Sequence, residues 1–200
     1  VRKKSSPPPV EAVPTRNAAN TRERILAAAR MRFSQNSFEN VGTREIAGDA
    51  GVDAALVNRY FGGKENLFAE VIEGGFVLSE AVSADVDAIG ETLVRQVLEP
   101  PSARGKGGEP PRFDGLSVLL RATGNPPIAA MVAERFHAEF VRPLARLIGG
   151  RDAELRATLI ASHVIGLATM RHGLGSAVLS GPARKKAATR VAAAIQACVH

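Results

Sequence analysis

Between Thr43 and Phe61 the chain reads T-R-E-I-A-G-D-A-G-V-D-A-A-L-V-N-R-Y-F, and this stretch constrains the fold more than any other. Thr43 predicts a helix start, and Ile46, Ala47 and Ala50 follow on one face at helical spacing. Gly51 ends that run, because glycine takes the left-handed conformation of a tight turn without steric cost. Asp53 predicts the cap of a second short run, in which Val57 and Phe61 share one side. Small Ala47 lets the two runs approach closely, while Ile46, Val52 and Val57 fill the angle between them. That is the physical specification of a helix-turn-helix. The second helix turns Ala54, Ala55, Asn58 and Arg59 outward, a short and uncluttered row able to enter the major groove of DNA. Alanine can meet a thymine methyl group, asparagine can pair with adenine and arginine with guanine. Thr43, Arg44, Tyr60 and Lys64 fall where contacts to the phosphate backbone would be made. The N-termini of the second and fourth helices would add exposed N–H groups and a dipole end favourable to phosphate. Taken alone, the stretch suits a DNA reader and a purely structural corner about equally.

The flanks extend the same helical logic. Asn20 and Glu23 have the spacing of a capping box, and Ile25, Leu26, Ala29 and Phe33 then line one face of a first helix that stops near Asn36. Gly62 and Gly63 break the chain before a fourth helix that begins at Lys64 and carries Leu67, Phe68, Val71 and Ile72. Five more helices are expected near 85–98, 114–123, 126–148, 152–173 and 183–198, with Pro126 and Pro127 suited to a first helical turn. Residues 1–19 read as a disordered, basic and proline-rich arm. The segment Glu99–Pro111, with four prolines and three glycines, reads as a flexible loop. The prediction is an all-α chain of about nine helices, without internal repeats or strand periodicity.

Composition narrows the function classes. The formal charge of +6 suits a polyanionic partner. The single cysteine, Cys198, excludes an internal disulfide and fits a reducing compartment. No stretch approaches the roughly 18 apolar residues of a membrane span. Ser5, Ser6 and three prolines follow Arg2–Lys4 where a signal peptide would have its apolar core, so a cytoplasmic location is expected. No phosphate loop, nucleophile elbow or other catalytic frame is present, and Glu134 and Glu139 read as solvent charges, so no enzyme is expected. His137, His163 and His172 lack metal-ligand spacing, and neither metal nor cofactor is expected. An apolar cavity for a small molecule would draw on Leu116, Leu120, Met131, Phe136, Phe140, Leu167 and Met170, with Arg121, His137 or His163 as polar points. The same side chains would serve equally well as plain core. The run Arg184–Lys186 sits at the start of the last helix, against the helix dipole, and reads as a solvated face.

Residues 21–68 resemble the N-terminal DNA-binding domain of TetR-type transcriptional repressors. Three blocks carry the likeness: the apolar first helix ending in Phe33, then T-x-x-x-I-A-x-x-A-G-V, then N-x-Y-F-x-x-K-x-x-L-F. The resemblance implies a DNA-binding domain over 20–66, followed over 67–200 by a helical dimerisation and ligand-binding domain. It also implies a homodimer that binds a pseudo-palindromic operator on double-stranded DNA and is released by a small apolar inducer. The last two long helices, near 152–173 and 183–198, would form the dimer bundle, with Leu155, Leu159, His163, Gly166, Val191 and Ile195 in their stripes. The chain departs from the family pattern at Asp53, where a hydroxyl is common, and at Asn58, where many members have tyrosine. The alternative reading is a helical module that senses a small molecule or partner and does not read DNA.

Overall fold

The computed structural model describes residues 16–79, 82, 85–98, 115–121 and 124–200. Most of the expected arm and the whole of the expected loop Glu99–Pro111 lie outside the described residues. Helix α1 (Arg16–Gln35) begins before Asn20, so Asn20 lies within the helix and does not cap it. The alanine pair Ala18–Ala19 favours that extension, and Thr21 bonds back to the Asn17 carbonyl at 2.9 Å inside it. Residues 16–19, expected in the arm, are therefore helical.

A short 3-10 turn, Phe38–Asn40, leads into α2 (Thr43–Ala50), α3 (Ala55–Phe61) and α4 (Lys64–Ile72). The first four helices bury Ile25, Ala29, Phe33, Ile46, Val57, Phe61, Leu67 and Phe68 in one cluster. Phe38 stacks on Phe33 at 5.9 Å and meets Phe68 edge-on at 5.2 Å, pinning the connection between α1 and α2. Polar ties complete this head. Arg24 donates to the Ala50 carbonyl, satisfying an orphan acceptor at the end of α2. Arg32 holds both oxygens of Asp49, at 2.5 and 2.9 Å, in a bidentate pair.

The body begins at α5 (Ile89–Leu98), entered through a 3-10 turn at Val86–Ala88. Ile89, Thr92, Leu93, Val94, Val97 and Leu98 are all buried, which makes α5 its central element. Around it lie α6 (Gly115–Arg121), α7 (Pro126–Phe136), α8 (Arg142–Ile148), α9 (Ala153–Ala168), the short α10 (Ala177–Ser180) and α11 (Arg184–Ala197). A π-helical turn at His137–Val141 joins α7 to α8 in one rod, and a second, Thr169–Gly173, extends α9. The first of these precedes Pro143, which has no N–H to offer the Glu139 carbonyl and crowds it. Leaving α10 aside and counting each rod as one helix, the described residues form nine helices, and none contains a strand.

Two contacts fix how these helices meet. A Cβ on Gly90 would lie 2.2 Å from the Ala192 carbonyl oxygen, so α5 and α11 cross with backbone against backbone. Gln196 on α11 closes the same crossing, accepting from the Gly90 N–H and donating to the Val86 carbonyl, both at 3.0 Å. Ile195 is fully buried and Val191 partly so within the chain, which removes this pair from the expected intersubunit stripe. Glu139, expected as a solvent charge, is in fact largely sequestered. Its carboxylate accepts from the Gly74 and Phe76 N–H groups at 3.0 and 3.2 Å and lies 3.6 Å from Arg135. The π turn thus grips the turn that follows α4.

Gly90→Ala should lower stability by about 1–3 kcal/mol through overpacking, read as a lower urea midpoint with unchanged slope. A second expectation concerns acid. The Arg32 hydrogen bond holds the Asp49 carboxyl below its ordinary value. A carboxyl depressed by folding contributes stability above its unfolded value, and that contribution fades as pH falls through the folded one. Asp49→Asn should therefore reduce the unfolding temperature at neutral pH, with the gap to the parent closing below about pH 4.

Candidate nucleic-acid interface

The local sequence builds the outward face of α3 from its inward one. At the start of α2 the N-cap is Gly42, and Thr43 occupies the first helical turn instead of the expected cap. The cap contribution comes from Glu45, whose carboxylate accepts from the Gly42 N–H at 2.9 Å. Glycine has no side chain to complete a capping box, which is why the sequence pattern did not reveal it. Gly51 closes α2 at φ 62°, and the Val52 N–H reaches back to the Ala47 carbonyl at 2.9 Å. Ala47 is buried in this corner, as its size allows.

Asp53 then accepts from the Ala55 N–H at 2.8 Å and its carbonyl from the Leu56 N–H at 3.0 Å. Its carboxylate is thereby engaged in starting α3. Ala54 lies in the opening turn, half-buried, one residue before the helix proper. Val57 and Phe61 anchor α3 from below, while Ala55, Asn58 and Arg59 are exposed in one outward group. Thr43 and Arg44 stand at the beginning of α2, half-buried and exposed respectively. Tyr60 and Lys64, both half-buried, flank the far end of α3, where Gly62 at φ 75° and Gly63 at φ 145° reverse the chain. The Lys64 ammonium rests 4.2 Å from the centre of the Phe38 ring. Glu39 beside it titrates below the ordinary glutamate value, held there first by its own backbone N–H, then by Asn125, with a further contribution from Lys64. The eight residues expected to meet DNA are therefore all at least partly accessible on the helix-turn-helix.

The side chains expected around a ligand cavity are dispersed. Leu116 and Leu120 belong to α6, but their side chains lie outside the described residues. Arg121, expected as a polar point of a cavity, donates instead to the Ser34 carbonyl, where the last turn of α1 leaves acceptors free. Phe136 and Phe140 stack at 5.1 Å, and Phe76 meets Phe136 edge-on at 5.4 Å, so these rings form packed core. Met131 is half-buried against that core and Leu167 is buried. His137 pairs with Glu154 at 3.0 Å near the surface, and His163 bonds the Leu159 carbonyl of its own helix at 2.8 Å. Met170 is 46% exposed. With Leu155 (60%) and Leu159 (44%) it forms an uncovered apolar row along α9, and nothing lies within 4 Å of where a Cβ on Gly166 in that row would be.

An all-helical chain with such a head and an uncovered helical face on its body belongs to the class of dimeric DNA-binding regulators. Comparison with known proteins gives the family. Residues 25–71 match the model of bacterial regulatory proteins of the tetR family, and residues 87–199 match that of the tetracyclin repressor-like C-terminal domain. The chain belongs to the TetR family of DNA-binding transcriptional regulators, which act as dimers. It is similar to a TetR-family regulator from Streptomyces coelicolor, at 32% identity over 94% of this chain and 99% of that one, with a TM-score of 0.54. A Bacillus subtilis protein described as a probable HTH-type transcriptional regulator, YttP, is 34% identical over 84 residues, 40% of each chain. The match thus spans less than half the length of that curated relative. The fold also resembles NalD of Pseudomonas aeruginosa, the secondary repressor of a multidrug efflux pump, at 18% identity over 78% of this chain and 87% of that one, with a TM-score of 0.54. No helix among the described residues is long and apolar enough to cross a membrane.

Proposed function

We propose that this regulator is a cytoplasmic repressor that binds a pseudo-palindromic operator as a homodimer and is released by a small molecule. In this reading residues 20–66 read DNA, and residues 67–200 dimerise and sense the inducer. The observation that carries the DNA-reading part is the outward group Ala55, Asn58 and Arg59 on a helix whose opposite face is locked by Val57 and Phe61. Each subunit inserts α3 into a major groove. Ala54, Ala55, Asn58 and Arg59 meet base edges, while Thr43, Arg44, Tyr60 and Lys64 hold phosphates. Lys64 is suited to that task because the Phe38 ring holds its ammonium at the start of α4.

The exposed Leu155, Leu159 and Met170, with Ser162 and Gly166 between them, support a dimer built on α9, since large apolar side chains left uncovered along one helix call for a partner. Gly166 within that row allows the two copies to approach closely. On α11, the exposed Ala193 and Ala194, beside Arg190, supply a second, smaller-residue face for the same bundle. Repression, as opposed to activation, is supported by the description of NalD.

Selection of bound duplexes from a randomised DNA library tests the whole reading. Enrichment of an inverted repeat is expected; enrichment of nothing, with only weak salt-sensitive binding, would overturn it. On the selected site, Asn58→Ala should relax preference at one base position by about 1–3 kcal/mol. Lys64→Ala should instead weaken all sequences alike and reduce the salt slope by about one unit. Leu159→Glu should convert the dimer to a monomer in sedimentation and abolish the advantage of the full repeat over a half-site.

A further inference from the structure

Helices α5 and α11 are packed against one another. At the Gly90–Ala192 crossing the backbones touch and Gln196 ties them together. Along the same pair of helices, as far as Leu98 and Gly181, runs an open cleft of about 680 Å³, a volume in the usual range for small-molecule sites. Its apolar lining consists of the half-buried Ala188 and Ala192 and the nearly fully buried Val94 and Leu98. Its rim carries Arg95, Arg184 and Lys185 against one carboxylate among the described residues, Glu91, in the first turn of α5. Among the described residues none of the three cations is ion-paired.

The charge arrangement is unfavourable when the cleft stands alone. Arg184 and Lys185, with Lys186 beside them, occupy the first turn of α11, and no acidic residue is present there. Cations at that end oppose the helix dipole, and three of them also repel one another. A bound anion relieves both terms, and the apolar lining beside it selects for what the anion is attached to.

We propose that this cleft binds a small organic carboxylate with an aliphatic or aromatic body, the carboxylate between Arg95, Arg184 and Lys185 and the body against Ala188 and Ala192. The proposal rests on the inducer reading above and gives the inducer a place and a chemical class. A ligand seated there acts as a wedge between α5 and α11. The crossing at Gly90 serves as the fixed end, and α11 carries part of the proposed dimer face. Operator release then requires only that the wedged geometry bind the ligand better than the unwedged one.

The test titrates octanoate into the full chain by ligand-observed saturation-transfer NMR, with octanol and octylamine as uncharged and cationic counterparts. Octanoate should bind at one site per chain, about tenfold more tightly than octanol, with octylamine weakest. The exposed substitutions Arg95→Glu and Lys185→Glu should each weaken octanoate and leave octanol unchanged, with unfolding temperatures verifying the fold. Thr189→Trp, on the rim and away from the core, should weaken both by occupying space. Octanoate binding no better than octanol, or unaltered in all three variants, would overturn the site. Operator binding followed in the same samples separates the two readings. Unchanged operator affinity with octanoate in the cleft would leave the site standing and remove its inducer role. Failure of the ligand-free chain to bind an operator would count against DNA reading and leave the cleft result intact.

Discussion

The burial of Val57 and Phe61 is the constraint on which the rest depends. Helix α3 spans only Ala55–Phe61, and a helix of that length does not persist in water on its own propensity. It exists because two side chains on one face are held among α1, α2 and α4. Those anchors fix its rotation about its own axis, and the rotation decides that Ala55, Asn58 and Arg59 face outward. A shift of the anchors would re-aim every outward residue, so the chemistry of the interface rests on residues that never touch it.

The head is also held to the body by directed contacts as well as by apolar packing. Arg121 of α6 donates to the end of α1, and Glu139 holds the turn after α4. Each joins a helix end or turn of the head to a separate part of the α6–α8 region. Hydrogen bonds fix direction where apolar contacts allow sliding, so the angle between α3 and the body is specified at two separated points. The π turn matters here because it lies where Pro143 interrupts the rod and carries the carboxylate that reaches back to α4.

Much of this was legible in the sequence because its signals are local. The glycine at 51, the apolar pairs at helical spacing and the proline starts gave the helices to within a few residues, including the long rod over 126–148. Helix α1 starts earlier than the capping pattern implies, because a polar residue followed three positions on by glutamate looks the same at a cap and within a helix; the alanines before it decide the matter. The contacts of Arg121 and Glu139 were illegible for a different reason. Each bonds to backbone groups more than 60 residues away, and a backbone acceptor or donor leaves no mark in the sequence. The same limit applies to the cavity: apolarity along the chain marks core and cavity lining alike, whereas the cleft between α5 and α11 is lined by residues that only the packed helices bring together.

Tyr60 sits half-buried at the end of the helix that faces the groove, and it is the one tyrosine of a chain without tryptophan. Intrinsic emission excited at the red edge of protein absorption therefore arises from a single ring on the reading head. That ring is a native optical probe, placed by evolution or accident at the surface where a nucleic acid would arrive. Quenching, polarisation and lifetime can be followed there without a label, and a body ligand that alters them reports directly on communication between the two halves.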